Sequence, residues 1–251
     1  MAGKSATVVI TGGAGTLGSY ISFILANYGL NVRVLDVSQS IKFSRLREFP
    51  SDLQKHVEVV ECDITRYDSV LEDCRETDAI IHLASILPPM SESQPNRTLD
   101  VNVKGTSNIV KTVDELDSNA PILMSSSVAV YGQTSSENSL VNETHRREGI
   151  DVYSRSKIEA EDIVIKSNIP YVIFRISGMA VPEPVSLPDS FPFSADQRIE
   201  FVSVADVAKV FVHALSETQA QHQIFNISGG ETWRTTGKRY VKRICEAMNI
   251  D

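Results

Sequence analysis

Three glycines at three-residue spacing, Gly12, Gly15 and Gly18, fall in the stretch Thr11-Gly12-Gly13-Ala14-Gly15-Thr16-Leu17-Gly18. A β-branched apolar run, residues 7–10, precedes it. Behind it Leu17, Ile21, Leu25 and Tyr28 keep close to a four-residue apolar spacing, and Gly29 closes the segment. Strand, glycine turn and helix in that order are the entry to a nucleotide-binding α/β sheet. The first glycine permits the tight turn, the second lets backbone approach a pyrophosphate, and the third packs the helix against the sheet. The helix N-terminus then turns unpaired N–H groups and the positive end of its dipole toward the phosphates. Glycines also make ordinary turns, so the reading rests on the strand and helix at either side. Gly12, Gly15, Thr16, Leu17 and Gly18 are thus candidate cofactor contacts.

The rest of the chain fits the same plan. Residues 31–35, 57–60, 79–83, 121–124 and 171–176 are apolar without alternation, as expected of parallel strands covered on both faces. Residues 102–116 and 152–167 read as helices between them. Alternating strands and helices predict a doubly wound parallel sheet, a Rossmann fold, over residues 1–176. Residues 177–251 are expected to form a small substrate-binding region interleaved with the last sheet elements. Within it, 177–197 holds Pro182, Pro184, Pro188 and Pro192 without periodicity and reads as loop. Residues 204–215 and 236–248 read as helices and 224–227 as a strand.

Asp36 closes the second strand. A carboxylate there accepts hydrogen bonds from both adenosine ribose hydroxyls and repels a 2′-phosphate, which favours NAD over NADP. Asp63 and Ile64 follow the third strand, where Asp63 can meet an adenine amine or simply cap a turn. Arg33 and Lys42 do not provide for a 2′-phosphate. Tyr153 and Lys157 stand at i and i+4, on one helical face. An ammonium beside a phenol favours the phenolate and should lower the tyrosine pKa toward a range useful for proton transfer. With seven tyrosines in the chain, about 0.3 such pairs arise by chance, so the spacing alone is weak evidence. Ser125, Ser126 and Ser127 end the fifth strand, at the edge where open α/β sheets bind ligands, and a hydroxyl there can hold a substrate oxygen.

Composition narrows the partners. A net charge of −8 disfavours nucleic acid and anionic membranes as general partners. Cys62, Cys74 and Cys245 are dispersed and odd in number, and the five histidines form no ligand cluster, so no metal is expected and a reduced, cytoplasmic setting is. No apolar run approaches a membrane span, and the polar residues 1–7 do not read as a signal peptide.

Taken together, these motifs resemble the extended short-chain dehydrogenase/reductase family, in its sugar-nucleotide epimerase/dehydratase group. The resemblance runs through the glycine turn, Asp36, Cys62-Asp63, the HLAS stretch at 82–85 and Asn102 in VNVKGT. It continues through SSSVAVYG at 125–132, YSRSK at 153–157, Arg175 and FVSVADVA at 201–208. It implies Tyr153 as acid/base, Ser127 (four before Tyr131) as the active-site hydroxyl, and Lys157 as the residue that binds the nicotinamide ribose. It also implies Leu83, Ala84 and Ser85 as cofactor lining, with His82 packing behind them. Asn102 is implied as the asparagine that kinks its helix and as a candidate cofactor contact, with a helix-start cap as the alternative. Val128-Ala129 stand where the 4,6-dehydratases carry an Asp-Glu pair, which argues against dehydration. The short segment between Ile176 and Phe201 implies a modest substrate, or a chain lacking a C-terminal portion.

The expectation is therefore an NAD-dependent enzyme acting on a secondary alcohol or ketone, as an epimerase of a nucleotide sugar by transient oxidation. A simple dehydrogenase or ketoreductase on a smaller substrate uses the same side chains, and a non-catalytic NAD-binding regulator is the alternative of another class. The resemblance implies a homodimer through helices 102–116 and 152–167, with Ile109, Val113, Ile158 and Ile163 available either to it or to the sheet. The site is expected to be open, with 177–197 mobile above it.

Overall fold

The computed structural model describes residues 5–42, 44–134, 140–182 and 193–248. Its strands are β1 (Thr7–Thr11), β2 (Asn31–Asp36), β3 (Val57–Glu61), β4 (Ala79–His82), β5 (Ile122–Ser127), β6 (Tyr171–Ile176), β7 (Gly178–Ala180), β8 (Arg198–Ser203), β9 (Gln223–Ile227) and β10 (Arg234–Thr236). The helices are α1 (Thr16–Asn27), α2 (Ser38–Lys42), α3 (Ser51–Gln54), α4 (Tyr67–Asp73), α5 (Met90–Ser93), α6 (Pro95–Leu99), α7 (Thr106–Glu115), α8 (Val152–Ile165), α9 (Val204–Ala214) and α10 (Gly237–Met248).

Seven strands form one sheet in the order β3-β2-β1-β4-β5-β6-β9, every pair parallel. The chain runs outward through β1, β2 and β3, then returns to β4 and runs the other way. That reversal leaves a crevice at the strand ends between β1 and β4, where sheets of this kind bind ligands. Alternation along each strand feeds two cores. Val8, Ile10, Val34, Leu123 and Phe174 pack with Ile21 and Leu25 of α1 and Val207 and Phe211 of α9. Val9, Leu35, Ile80, Ile122 and Ile173 pack with Val70 of α4, Ile109 and Val113 of α7, and Ala160 and Val164 of α8. Ile109 and Val113 are therefore sheet-side residues, while Ile158 and Ile163 are half-buried.

Three elements differ from the sequence reading. The helix expected at 102–116 begins at Pro95, a residue suited to a first helical position, and passes through a π-helical turn, Asp100–Gly105, into α7. The stretch read as loop contains β7, which joins β8 and β10 in a small second sheet. Pro184, Pro188, Pro192 and the rest of 183–192, within the segment expected to be mobile, lie outside the described residues. Helix α10 carries Val241, Ile244 and Met248 at a helical spacing suited to docking, but only the first two are half-buried and Met248 is 45% exposed.

Candidate active site

A cleft of about 1100 Å³ runs along the carboxyl edge of the sheet. Its walls hold Gly12, Gly15, Thr16, Leu17 and Gly18, then Asp36, Asp63, Ile64, Leu83, Ala84 and Ser85, and at its far end Ser127, Tyr153 and Lys157. Every sequence-derived candidate except Asn102 lines it.

At the glycine end the geometry is backbone geometry. Gly12 has φ +68°, and a Cβ there would stand 2.7 Å from the Ala84 nitrogen, so no other residue fits. A Cβ on Gly18 would stand 2.4 Å from the Cα of Gly13. The third glycine thus seats α1 on the turn itself rather than on the strands. Gly15 is the N-cap of α1, with no side-chain cap and no acidic residue in the first turn. The first N–H groups of the helix are thereby free for an anion, which is what a pyrophosphate requires.

Asp36 accepts from the Ala14 N–H at 3.1 Å and the Val37 N–H at 2.8 Å, bracing the turn it faces. Burial raises its carboxyl above the ordinary range, and the bonds from Val37, Ala14 and Ser40 oppose the rise. Asp63 accepts from the backbone and hydroxyl of Thr65, so the turn role is realised even though the residue lines the cleft.

His82 is buried behind the lining, as expected. Its Nδ1 lies 2.7 Å from Thr11 Oγ1 and its Nε2 2.8 Å from Thr106 Oγ1. Thr106 gives its own proton to the Asn102 carbonyl, so Nε2–H donates to Thr106 and Nδ1 accepts from Thr11. Burial, with help from the Lys157 charge, pushes the His82 pKa down to about 3, and the ring is neutral.

Asn102 sits in the π turn that interrupts its helix, the structural place the resemblance implies, and is neither a helix-start cap nor part of the cleft wall. The π turn directs its side chain to the backbone of Ile86, which it meets through both amide atoms at 2.7 and 3.1 Å, and to Ser156 Oγ at 2.9 Å. It fixes the segment after β4 to α8 from behind.

Helix α8 starts on Asp151, which accepts from the Ser154 N–H at 2.7 Å in a capping box. Glu92, from α5, accepts from the Val152 and Tyr153 N–H groups at 3.2 Å each. Two carboxylates therefore anchor the turn that carries Tyr153. Tyr153 is 9% exposed and hydrogen-bonds to Ser127. Burial pushes its pKa up to about 12 against that bond, and Asp151 adds to the rise. The lowering expected from the neighbouring ammonium is absent: burial, the Ser127 bond and Asp151 set the shift. Lys157 donates to the Ser125 carbonyl at 3.0 Å, not to the phenol, and its Nζ stands 5.9 Å from the Tyr153 ring centre. Burial pushes Lys157 down to about 8, with Glu161 opposing. The folded chain thus holds a protonated phenol beside a lysine that titrates near neutrality. Helical spacing gave the pairing but carried no information on burial, which sets the sign.

Spacing could have pointed to Glu161, one turn past Lys157 on the same stripe, but the sequence reading passed it over. It also missed Leu87, Met90, Arg97 and Met179, which line the cleft from the loop after β4, α5, α6 and β7. Among the described residues no cluster of three or more metal-ligating side chains occurs, and no helix is long and apolar enough to cross a membrane.

Known proteins share this architecture. The model of the 3-beta hydroxysteroid dehydrogenase/isomerase family matches residues 9–173, well over half of the chain. A 3 beta-hydroxysteroid dehydrogenase/Delta 5-->4-isomerase of Monkeypox virus is 31% identical over 169 residues, covering 65% of this chain and 46% of its own. A bifunctional UDP-glucose and UDP-xylose 4-epimerase of Pisum sativum is 29% identical over 208 residues, covering 79% and 58%. The chain spans about half the length of these relatives. The structure of a Thermus thermophilus UDP-glucose 4-epimerase in complex with NAD superposes with a TM-score of 0.80 at 21% identity, over 98% of this chain and 84% of that one.

Proposed function

Because the chain belongs to the 3-beta hydroxysteroid dehydrogenase/isomerase family, we propose that it is an NAD-dependent enzyme working at a secondary alcohol or ketone carbon, with Ser127, Tyr153 and Lys157 as its reacting side chains. One observation carries this reading. A single cleft joins the uncapped start of α1 and Asp36 to the buried Tyr153–Ser127 pair, with Lys157 one turn behind. Residues 1–176 are the cofactor-binding part and 177–251 the small substrate region.

NAD, when bound, supplies the reversible hydride acceptor. The α1 N–H groups hold its pyrophosphate, and Asp36 accepts from the adenosine ribose while its charge opposes a 2′-phosphate. The Lys157 ammonium, anchored on Ser125, donates to the nicotinamide ribose. Ser127 holds the substrate oxygen and Tyr153 exchanges a proton with it. Protonated at neutral pH, Tyr153 is ready to donate. To accept a proton it needs positive charge that offsets burial, and Lys157 and an oxidised nicotinamide both act in that direction.

The preferred form is an epimerase of a nucleotide sugar by transient oxidation, in keeping with the pea relative and the Thermus structure. A plain dehydrogenase or ketoreductase on a smaller substrate is favoured by a different observation. Leu87 and Met90 are more than half exposed and Met179 more than a third, all on the cleft wall, and among the described residues Arg97 is the only cation there besides Lys157. The reading includes a reducing, cytoplasmic setting, which suits the free buried thiols of Cys62 and Cys74. It also includes a homodimer through α7 and α8, where Ile158 and Ile163 are left half-buried. Light scattering at tens of micromolar tests the dimer, and a monomer there would remove it.

The test of function is a panel of UDP-, GDP- and dTDP-sugars and simple secondary alcohols, followed by nicotinamide absorbance and product stereochemistry. Epimer formation without net reduction marks an epimerase, and accumulating NADH marks a dehydrogenase. Bound NAD with no turnover would leave a regulator.

A further inference from the structure

The stripe of α8 that carries Tyr153 and Lys157 continues to Glu161, and all three face the end of β5. The matches are consecutive. Lys157 Nζ donates to the Ser125 carbonyl at 3.0 Å, Ser126 Oγ donates to Glu161 Oε1 at 2.6 Å, and Ser127 hydrogen-bonds to Tyr153. Glu161 is fully buried, and its carboxylate is saturated. Oε1 also accepts from Arg175 Nε at 3.0 Å, while Oε2 accepts from Arg175 Nη2 at 2.7 Å and Arg147 Nη1 at 3.1 Å. Arg175, 2% exposed, reaches on to the Tyr131 hydroxyl at 2.9 Å and the Glu143 carbonyl at 3.0 Å. Tyr131 in turn donates to Asn226 Oδ1 at 2.6 Å on β9.

A buried carboxylate held by four charge-assisted bonds is far more rigid than packing alone requires. An ion pair so placed is weak evidence for stability, because desolvation offsets most of its attraction. Its effect here is positional and electrostatic. Glu161 fixes Ser126, the residue next to the Ser127 hydroxyl, and puts a negative charge one helical turn from Lys157. We propose that Glu161 is a positioning residue that sets both the placement of the Ser125–Ser127 strand end and the charge of Lys157. The kinetic consequence rests on the reading of Tyr153 and Lys157 given above; the electrostatic one does not. The charged or titratable groups around the pair are Tyr153 and Asp162 on α8, neutral His82 on β4, Arg175 on β6 and Arg147 in the stretch before α8. Asp162, partly exposed, is taken up by Arg147 at 2.7 Å, so Glu161 is the buried anion next to Lys157, and it acts to keep Lys157 protonated against burial.

The test is a carbon NMR titration of Cε-labelled lysines in the cofactor-free chain, with the Lys157 signal assigned by its loss in Lys157→Met. Glu161→Gln keeps the shape and removes the charge. The Lys157 midpoint is expected to fall by about one pH unit or more, and an unchanged midpoint overturns the electrostatic half. If Glu161→Gln does not fold, Arg147→Gln removes only the outer, part-exposed guanidinium and should raise the midpoint by roughly half a unit; no rise overturns it equally. Ser126→Ala, which keeps both arginines on Glu161, should lower kcat ~10-fold with the KM for NAD within about twofold, the signature of an interaction lost at the reacting groups. A loss of stability with kcat intact would reduce Glu161 to a structural role. A wild-type chain without turnover, but with the expected midpoint shift, would sink the proposed function and leave this assignment standing.

Discussion

At one end of the cleft the recognising groups are backbone, the free N–H groups at the start of α1 and a turn that Gly12 alone permits. At the other end they are side chains that burial has pushed from their ordinary pKa, Tyr153 up to about 12 and Lys157 down to about 8. The difference has a consequence for pH. Backbone N–H groups do not titrate, so binding of phosphate there should vary little across the neutral range. The Tyr153 end should respond steeply, because both of its ionisable groups depend on what surrounds them.

Four changes break or sharpen that contrast, and the largest effect is at the side-chain end. Tyr153→Phe removes the proposed proton donor and should lower turnover ~10²- to 10⁴-fold, with NAD binding by titration calorimetry within a few-fold of wild type. Lost cofactor binding would mean that the two ends are not separable.

Next comes Asp36→Ser at the backbone end. Losing the carboxylate proposed to face the ribose should narrow the expected preference for NAD over NADP by ~10- to 100-fold, measured as the ratio of the two affinities, without moving the pH profile. An unchanged ratio would remove Asp36 from cofactor discrimination.

Third, pH alone acts through Lys157. The charged ammonium is present below its folded pKa, so activity that depends on it should fall as pH rises through about 8. The contribution of Lys157 to the stability of the cofactor-free chain should move the other way. Its ammonium stays protonated in the unfolded chain up to the ordinary value of 10.5, so between about 8 and that value this site binds more protons unfolded than folded and its contribution rises, while the buried thiols of Cys62 and Cys74, pushed up from 9.0, act in the opposite sense above about 9. The stability of wild type relative to Lys157→Met in denaturant titrations should therefore rise with pH from about 8. A difference that does not change with pH would contradict the Lys157 shift.

The smallest effect is at the junction of the two ends. Glu92→Gln weakens the anchor on the Val152 and Tyr153 N–H groups, and at an exposed helix start should cost about 0.3–1 kcal/mol and less than about threefold in turnover. A larger kinetic loss would make the α5 segment part of the reacting geometry.

The glycine turn, the parallel strands and the Tyr153–Lys157 stripe were legible because each has a local signature. A strand buried on both faces is largely apolar, as Thr7–Thr11, Ala79–His82 and Tyr171–Ile176 are, whereas the edge strand Val57–Glu61 carries exposed Glu58 and Glu61. Arg198–Ser203 escaped because its charged and apolar residues mix on a half-covered sheet, and β7 and β10 are only three residues long. Asn102 was legible as a helix-kinking asparagine but not as one behind the cleft, because a π turn has no sequence pattern and only its geometry sends the amide to Ile86. The Tyr153 shift was predicted with the wrong sign because spacing shows a neighbour and not the loss of water. Glu161 shows the converse. Its i+8 position from Tyr153 was readable, but its significance came only with Ser126, Arg147 and Arg175 around it.

The central claim is that Tyr153 exchanges a proton with a substrate oxygen while NAD takes the hydride. The most direct measurement mixes the purified chain and NAD with the sugar-nucleotide and secondary-alcohol panel, and compares wild type with Tyr153→Phe by reduced-nicotinamide absorbance and product stereochemistry. The account predicts that at least one substrate gives NADH or its epimer with wild type, and that Tyr153→Phe slows that conversion ~10²-fold or more with NAD still bound. Equal rates for the two proteins would contradict it.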